Sequence, residues 1–367
     1  MECPQNMPES KEEFLRRFMR KAHEQRIPLT GSMNLTHRCN LRCVHCYIRP
    51  TPAQANAAQE LPTRRWLEIL DEVTEAGCLN FLITGGEPLL RPDFPEIYKK
   101  ARQNGLVVTV FTNGTLVDDA ILDLFTEYPP TKVEITLYGA TETTYERITQ
   151  TPGSHRKCLT ALTRLQERGI PLALKSILMT PNAAEFGEIQ RMSEELGCKF
   201  RMDAYLVPHV NGDKTPLELR VSPERAVEVE FEIPKRSSAW RRYYERQEEY
   251  QHSKTAYACG AGRTGFHIDA FGHLQICMME TRWWHDLRTG CFHEGWRHVL
   301  PRIISRPAPQ NDPCQECSDW LLCGACKPQV AMETGSESVP PQFLCELGQA
   351  RRRKIESRLM GVNKNAP

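Results

Sequence analysis

The 367-residue sequence predicts an α/β fold with parallel strands, followed by a smaller cysteine-rich α+β segment. Three observations predict it. Strand-like apolar runs alternate six times with helical apolar patterns between Gly31 and Pro208. Gly77, Gly105, Gly169 and Gly197 each follow a helical pattern and precede a strand, where a left-handed residue closes a helix. Beyond Tyr257 the repeat is lost and cysteines set the pattern, as in a segment pinned by metal.

Ser10 and Glu13 form a capping-box pair, and Phe14, Phe18 and Ala22 follow at helical spacing, so residues 10–26 read as an amphipathic helix. Its other face is basic (Arg16, Arg17, Arg20, Lys21). That face is expected to be solvated while the helix packs on the main domain; a docking helix is the alternative. Strands are expected at Ser32–Thr36, Leu79–Thr84, Leu106–Phe111, Lys132–Tyr138, Leu172–Met179 and Lys199–Leu206. Helices between them show in Trp66/Ile69/Leu70/Val73, Phe94/Ile97/Tyr98/Ala101 and Phe186/Ile189/Met192/Leu196. Six such repeats imply a parallel sheet covered by helices, either doubly wound or curled into an incomplete barrel. Residues 209–256 read as a linker with one or two helices near Trp240–Tyr244, and a charged helix around Glu346–Arg358 finishes the chain. The expected segments are therefore 1–30, 31–208, 209–256, 257–347 and 348–367.

Charged residues are 25% of the chain and the net charge is +1 without long runs of one sign, which points away from a nucleic-acid surface. No apolar run reaches the roughly 18 residues of a membrane span, and no signal peptide opens the sequence. Fifteen cysteines in such a chain indicate metal ligation or catalysis in a reducing cytoplasm rather than a disulfide framework. Ten fall in two spaced groups. Cys3, Cys78, Cys158, Cys198 and Cys291 are scattered and expected to be buried and apolar.

The first group is Cys39, Cys43 and Cys46, in a connection from His37 to Leu61 much longer than a typical βα loop of about 2–6 residues. Loops at the carboxyl ends of parallel strands carry the chemistry of such folds. Three thiolates on a four-iron cube leave one iron open to an outside ligand. A zinc site completed by His37 or His45 is the competing reading. The second strand ends in Thr84-Gly85-Gly86-Glu87-Pro88, whose glycines expose backbone and whose carboxylate can accept from an ammonium group. The next strands end in Thr112-Asn113-Gly114 and Thr136, on the same rim.

With these motifs residues 31–208 resemble the radical S-adenosylmethionine superfamily. The resemblance implies a partial (β/α)6 barrel in which Cys39, Cys43 and Cys46 hold a [4Fe–4S] cluster that binds S-adenosyl-L-methionine. It assigns the methionine amino group to Glu87 with the backbone of Gly85 and Gly86, and methionine or ribose contacts to Thr112, Asn113 and Thr136. A reduced cluster against the sulfonium would yield a 5′-deoxyadenosyl radical, with the protein supplying position and exclusion.

Downstream, Cys259-x12-Gly272-x4-Cys277, Cys314-x2-Cys317-x5-Cys323-x2-Cys326 and Cys345 resemble the SPASM extension of radical enzymes that modify peptides and proteins. Two residues separate Cys323 from Cys326 where that family has three. The resemblance implies two auxiliary [4Fe–4S] clusters, one on Cys259, Cys277 and Cys326, the other on Cys314, Cys317, Cys323 and Cys345. The first would keep an iron free for substrate, water or a ligand such as Cys291, because Lys254, Thr255 and Tyr257 stand where some members carry a further cysteine. A zinc ribbon over Cys314–Cys326 is the competing reading.

Thr136-Leu137-Tyr138-Gly139 stands where sulfatase-maturing relatives have Ser-Leu-Asp-Gly, which argues against simple sulfatase maturation. Tyr138, Lys175 and Asp203 are the candidate acid–base residues. His267, Asp269 and His273 read as turn and packing residues. The resemblance implies a cytoplasmic enzyme that oxidises, cyclises or cross-links a ribosomally made precursor peptide. Its implied partners are a flavodoxin- or ferredoxin-type electron donor and a small separate peptide chaperone, since about 30 residues before the triad leave no room for a fused leader-binding domain. A radical dehydrogenase or decarboxylase of a small natural-product precursor, and a non-catalytic zinc protein, are the alternatives.

Overall fold

The computed structural model describes residues 10–48, 56–249 and 252–363; Cys3 and part of the long cysteine-bearing loop lie outside them. Helix α1 (Lys11–Glu24) carries the expected capping box, with the Glu13 N–H donating to Ser10 Oγ and the Ser10 N–H to Glu13 Oε2. Six strands follow: β1 (Thr30–Asn34), β2 (Asn80–Thr84), β3 (Val107–Thr112), β4 (Lys132–Thr136), β5 (Leu172–Ile177) and β6 (Lys199–Asp203). Each pairs in parallel with the next, in chain order. Between them run α2 (Thr63–Glu75), α3 (Phe94–Gln103), α4 (Asp119–Glu127), α5 (Glu142–Thr149), α6 (Ser154–Glu167) and α7 (Phe186–Glu195). The four glycines predicted to close helices all have positive φ, from 60° to 97°.

The barrel is open, and β6 is one end of the strand order. On the far side of β1 the sheet continues into the cysteine-rich segment. There β7 (Gly265–Ile268) pairs in parallel with β1, and β8 (His273–Gln275) and β9 (His285–Asp286) extend it antiparallel. Residues expected to fold as a separate small domain thus share the barrel's main core. Phe266, Ile268, Leu274, Phe292, Trp296 and Leu300 belong to one cluster with Met33, Trp66, Phe81 and Ile83. Short cysteine-bearing loops and a continuous sheet coexist because the apolar alternation of β7 and β8 needs an open edge to cover, and β1 provides it.

The expected linker is two helices, α8 (Pro223–Glu232) and α9 (Pro234–Glu245). They pack with the long α14 (Gln342–Asn363) in a second core that includes Leu178, Phe186 and Met202 from the β5–α7–β6 region. Inside it the buried Arg351 guanidinium donates to both Glu230 oxygens at 2.8 Å. Between β9 and α14 come α10 (Phe292–Glu294), a π-helical turn, α11 (Leu300–Ile304), α12 (Trp320–Cys323) and α13 (Lys327–Thr334). Helix α14 begins at Gln342 rather than near 348, so Cys345 lies in its first turn.

Helix α1 departs from expectation. Phe14, Leu15, Phe18 and Met19 are exposed, and among its residues only Ala22 is buried. Among the described residues no helix is long and apolar enough to cross a membrane.

Candidate active site

The cysteine-bearing loop leaves β1 and is fastened before it reaches its first thiol. The Thr36 hydroxyl and the His37 N–H donate to the buried Glu60 carboxylate, and Arg38 pairs with its other oxygen at 3.3 Å. Buried Arg91 donates to the Leu35 and Leu61 carbonyls and is held by Asp93. Glu60 and Arg91 carried no motif; their role follows from ordering polar backbone in a buried loop.

The loop after β2 lies directly on this segment. The Gly86 N–H donates to the Thr36 carbonyl at 2.8 Å and the Glu87 N–H to the Arg38 carbonyl at 2.9 Å. A Cβ at Gly85 would run into the Thr36 carbonyl oxygen, and one at Gly86 into that of Arg38. Gly85 also has φ 137°, which disfavours any side chain. The two glycines permit backbone-to-backbone approach here, beyond exposing a binding edge.

The Glu87 side chain turns away from the cavity. It is 0% exposed, and its oxygens accept from Thr112 Oγ1, the Asn113 N–H and the Leu89 N–H at 2.8–3.1 Å. Burial pushes its pKa up to about 7 against these lowering hydrogen bonds. Its partners Thr112 and Asn113 line the cavity, so the carboxylate lies directly behind that wall. In this structure it locks the ends of β2 and β3 together, while Gly85 and Gly86 line the cavity. Asn113 completes the clasp: its amide donates to Asn40 Oδ1 at 2.9 Å, and Asn40 donates to Thr115 Oγ1 at 2.7 Å.

A cavity of about 710 Å³ opens at the carboxyl ends of the strands. Cys39, Cys43 and Cys46 line it, with Thr112, Asn113, Thr136, Tyr138, Lys175 and Asp203. All of the sequence-predicted residues of this rim are thus brought together except the Glu87 carboxylate. Met278, Met279 and Gln329, which sequence reasoning missed, close the cavity from the cysteine-rich segment. Their adjacency to Cys277 and Cys326 was the available signal.

Burial, and to a smaller extent the neighbouring thiols, raises the pKa of Cys39 and Cys43, and Cys39 is pushed up to about 12. Desolvated thiols facing a cavity suit a cationic iron centre, which takes them as thiolates. Among the described residues no three His, Cys, Asp or Glu side chains converge as the ligands of a single ion would. A cube would bind each thiolate through a separate iron, and three cysteines facing one cavity can serve it. His45, the candidate zinc ligand, sets its ring edge-on to Tyr138 at 4.4 Å, and burial holds its pKa down near 3.

Tyr138 is half-buried on the cavity wall, and desolvation followed by the neighbouring thiols raises its pKa well above the usual phenol value. Lys175 stands 3.8 Å from Asp203, and burial, then Arg201, lowers its pKa. Away from the rim, Asp269 accepts from the His273 ring and the His273 and Phe271 N–H groups in the β7–β8 turn, a structural arrangement.

The downstream cysteines fall into two neighbourhoods. Cys259 and Cys277 act electrostatically on Cys326, and Cys317 and Cys345 on Cys323, which in turn acts on Cys314. Cys291 joins neither. It is exposed beside α2, where Arg65 donates to the Gly290 carbonyl and Glu72 accepts from the Phe292 N–H.

Comparison with known proteins agrees with this geometry. Residues 33–192 match the Radical SAM superfamily model. The AdoMet-dependent heme synthase of Methanosarcina barkeri is 26% identical over 84% of this chain and 93% of its own length. The PqqA peptide cyclase of Gluconobacter oxydans is 31% identical over 46% of this chain and 47% of its own, so the chain spans about half of that relative. Among solved structures, Streptococcus suis SuiB bound to precursor peptide SuiA has a TM-score of 0.68 at 16% identity, covering 94% of this chain and 82% of that one. Residues 33–192 therefore carry a Radical SAM domain, and the chain shares its fold with SuiB over most of its length.

Proposed function

We propose that this enzyme oxidises, cyclises or cross-links a side chain of a ribosomally made peptide, acting in the cytoplasm. The observation that carries the reading is a single cavity walled both by the first cysteine group and by residues adjoining the second, Met278, Met279 and Gln329. The peptide cyclase relationship and the fold shared with a structure in complex with its precursor peptide support the substrate class.

Cys39, Cys43 and Cys46 would hold the [4Fe–4S] cluster, and bound there it supplies the electron that cleaves S-adenosylmethionine to a 5′-deoxyadenosyl radical. The Gly85–Gly86 backbone, Thr112, Asn113 and Thr136 position the cosubstrate, with Glu87 holding that wall rigid. Tyr47, half-buried, lines the cavity where the two cysteine regions meet, with its hydroxyl 3.5 Å from Met278 Sδ. Lys175 has its pKa lowered by burial, so its neutral amine can accept a substrate proton more readily than an exposed lysine. Asp203 beside it steadies the ammonium that results. Cys259, Cys277 and Cys326 would hold one auxiliary cluster, and Cys314, Cys317, Cys323 and Cys345 a second. A flavodoxin- or ferredoxin-type protein would supply electrons, and a separate chaperone could present the peptide.

Oxygen-free, iron-loaded protein with reductant should release 5′-deoxyadenosine, and a precursor peptide encoded beside the gene should change mass in step with that release. Peptide of unchanged mass in a reaction that does release 5′-deoxyadenosine would sink the substrate assignment. The full-length match to a heme synthase favours a second reading, radical decarboxylation of a small molecule. A porphyrin precursor that loses carbon dioxide in the same assay would establish it.

A further inference from the structure

We propose that α1 is a docking helix for a partner protein that presents an acidic amphipathic helix. Phe14, Leu15, Phe18 and Met19 are 41–49% exposed, and on a helix they share one arc with Ala22. Ala22 packs against the body, and just beyond it Arg26 anchors the end of the helix, donating to the Gly262 and Trp296 carbonyls at 2.8 and 2.9 Å. The face that is buried at one end therefore projects past the body at the other, forming an apolar shelf. A 14-residue helix is marginal in water without tertiary packing. The capping box and the stacked Phe14 and Phe18 rings, 6.4 Å apart, with Arg17 over the Phe14 ring, support the outer turns locally.

Charge selects the occupant. The acidic Glu12 and Glu13 lie in the first turn, where the helix dipole favours them. Beyond that turn, Arg17 and Lys21 border one edge of the apolar arc, and Arg16 and Arg20 lie past the other. A second copy docked antiparallel would set Arg17 and Lys21 against their own counterparts. An acidic helix meets the same rim with opposite charge. Position narrows the role. Helix α1 runs into the amino end of β1 at Thr30, whereas the cavity opens at the strands' carboxyl ends. A protein docked on α1 leaves the cavity mouth clear, so the docked segment is not the one that reacts. The inference stands independently of which substrate the cavity takes.

The test uses the full chain and two fluorescent helical peptides with identical leucine spacing, one rich in glutamate and one in lysine. The glutamate peptide should bind, more weakly as salt is raised. Binding should weaken roughly tenfold or more in Phe14→Ser/Phe18→Ser and in Arg17→Glu/Lys21→Glu. Both variants should keep the parent's thermal transition, since the altered side chains are exposed. Failure of the glutamate peptide to bind, equal binding of the lysine peptide, or unchanged affinity in the variants would overturn the proposal. So would a dimer in sedimentation that dissociates with Phe14→Ser/Phe18→Ser, which would make the occupant a second copy.

Discussion

Single residues of the rim act mainly by holding backbone in place. Gly86→Ala would push a methyl group into the Arg38 carbonyl, so the cysteine loop or the β2 end must shift. The expected loss is about 1–3 kcal/mol in urea unfolding, together with lower iron retention at the first cysteine group. Glu87 gives a pH signature. Its pKa is raised by burial to about 7 from 4.5, so between those values the folded chain keeps a proton that the unfolded chain has released. The stability of metal-free protein should therefore fall as pH rises through that window, and Glu87→Gln should flatten the profile. An unchanged slope in the variant would show that its carboxylate is ionised throughout. The spacing of Cys39, Cys43 and Cys46 and the Gly-Gly-Glu-Pro turn were legible in the sequence. Glu60, Arg91, Asn40 and Tyr47 were not, because each works through a partner distant in sequence and belongs to no local pattern.

Among elements, the six barrel strands and the helices at 63–75, 94–103 and 186–195 were read to within a few residues, because burial imposes periodicity on each one, while α4, α5 and α6 were not placed. The pairing of α8 with α14 was invisible, since Glu230 and Arg351 look like surface residues until their helices cross. Glu230→Ala would leave the Arg351 guanidinium buried without its carboxylate, at a cost of about 3–5 kcal/mol. Arg351 also donates to the Leu322 carbonyl at 2.6 Å, next to Cys323. The variant should therefore lose iron from the carboxyl-terminal cysteines before iron at Cys39, Cys43 and Cys46. Equal loss from both groups would disconnect this pair from the local site.

For the whole molecule, the continuous sheet makes the cysteine-rich region part of the barrel's own folding unit. Phe266→Ala removes a side chain that meets Phe81, Phe292 and Trp296. It should lower stability by about 3–5 kcal/mol and move one common calorimetric transition. Two separate transitions, only one of them shifted, would restore the picture of independent domains. In iron-loaded protein, Cys277→Ala should lower the content by roughly four irons per chain and leave the first cluster's signal in place.

Taken alone, the order of residues determined the alternation of strands and helices, the thiols able to bind iron, and the rim that carries them. Those are local properties: a period, a spacing, a turn that needs glycine. Tertiary structure alone decided that Glu87 faces inward, that β7 completes the sheet beside β1, that Cys291 stands apart, and that α1 leaves its apolar face uncovered. Each of these depends on which surfaces meet across long stretches of chain, and burial is assigned only when the chain closes on itself.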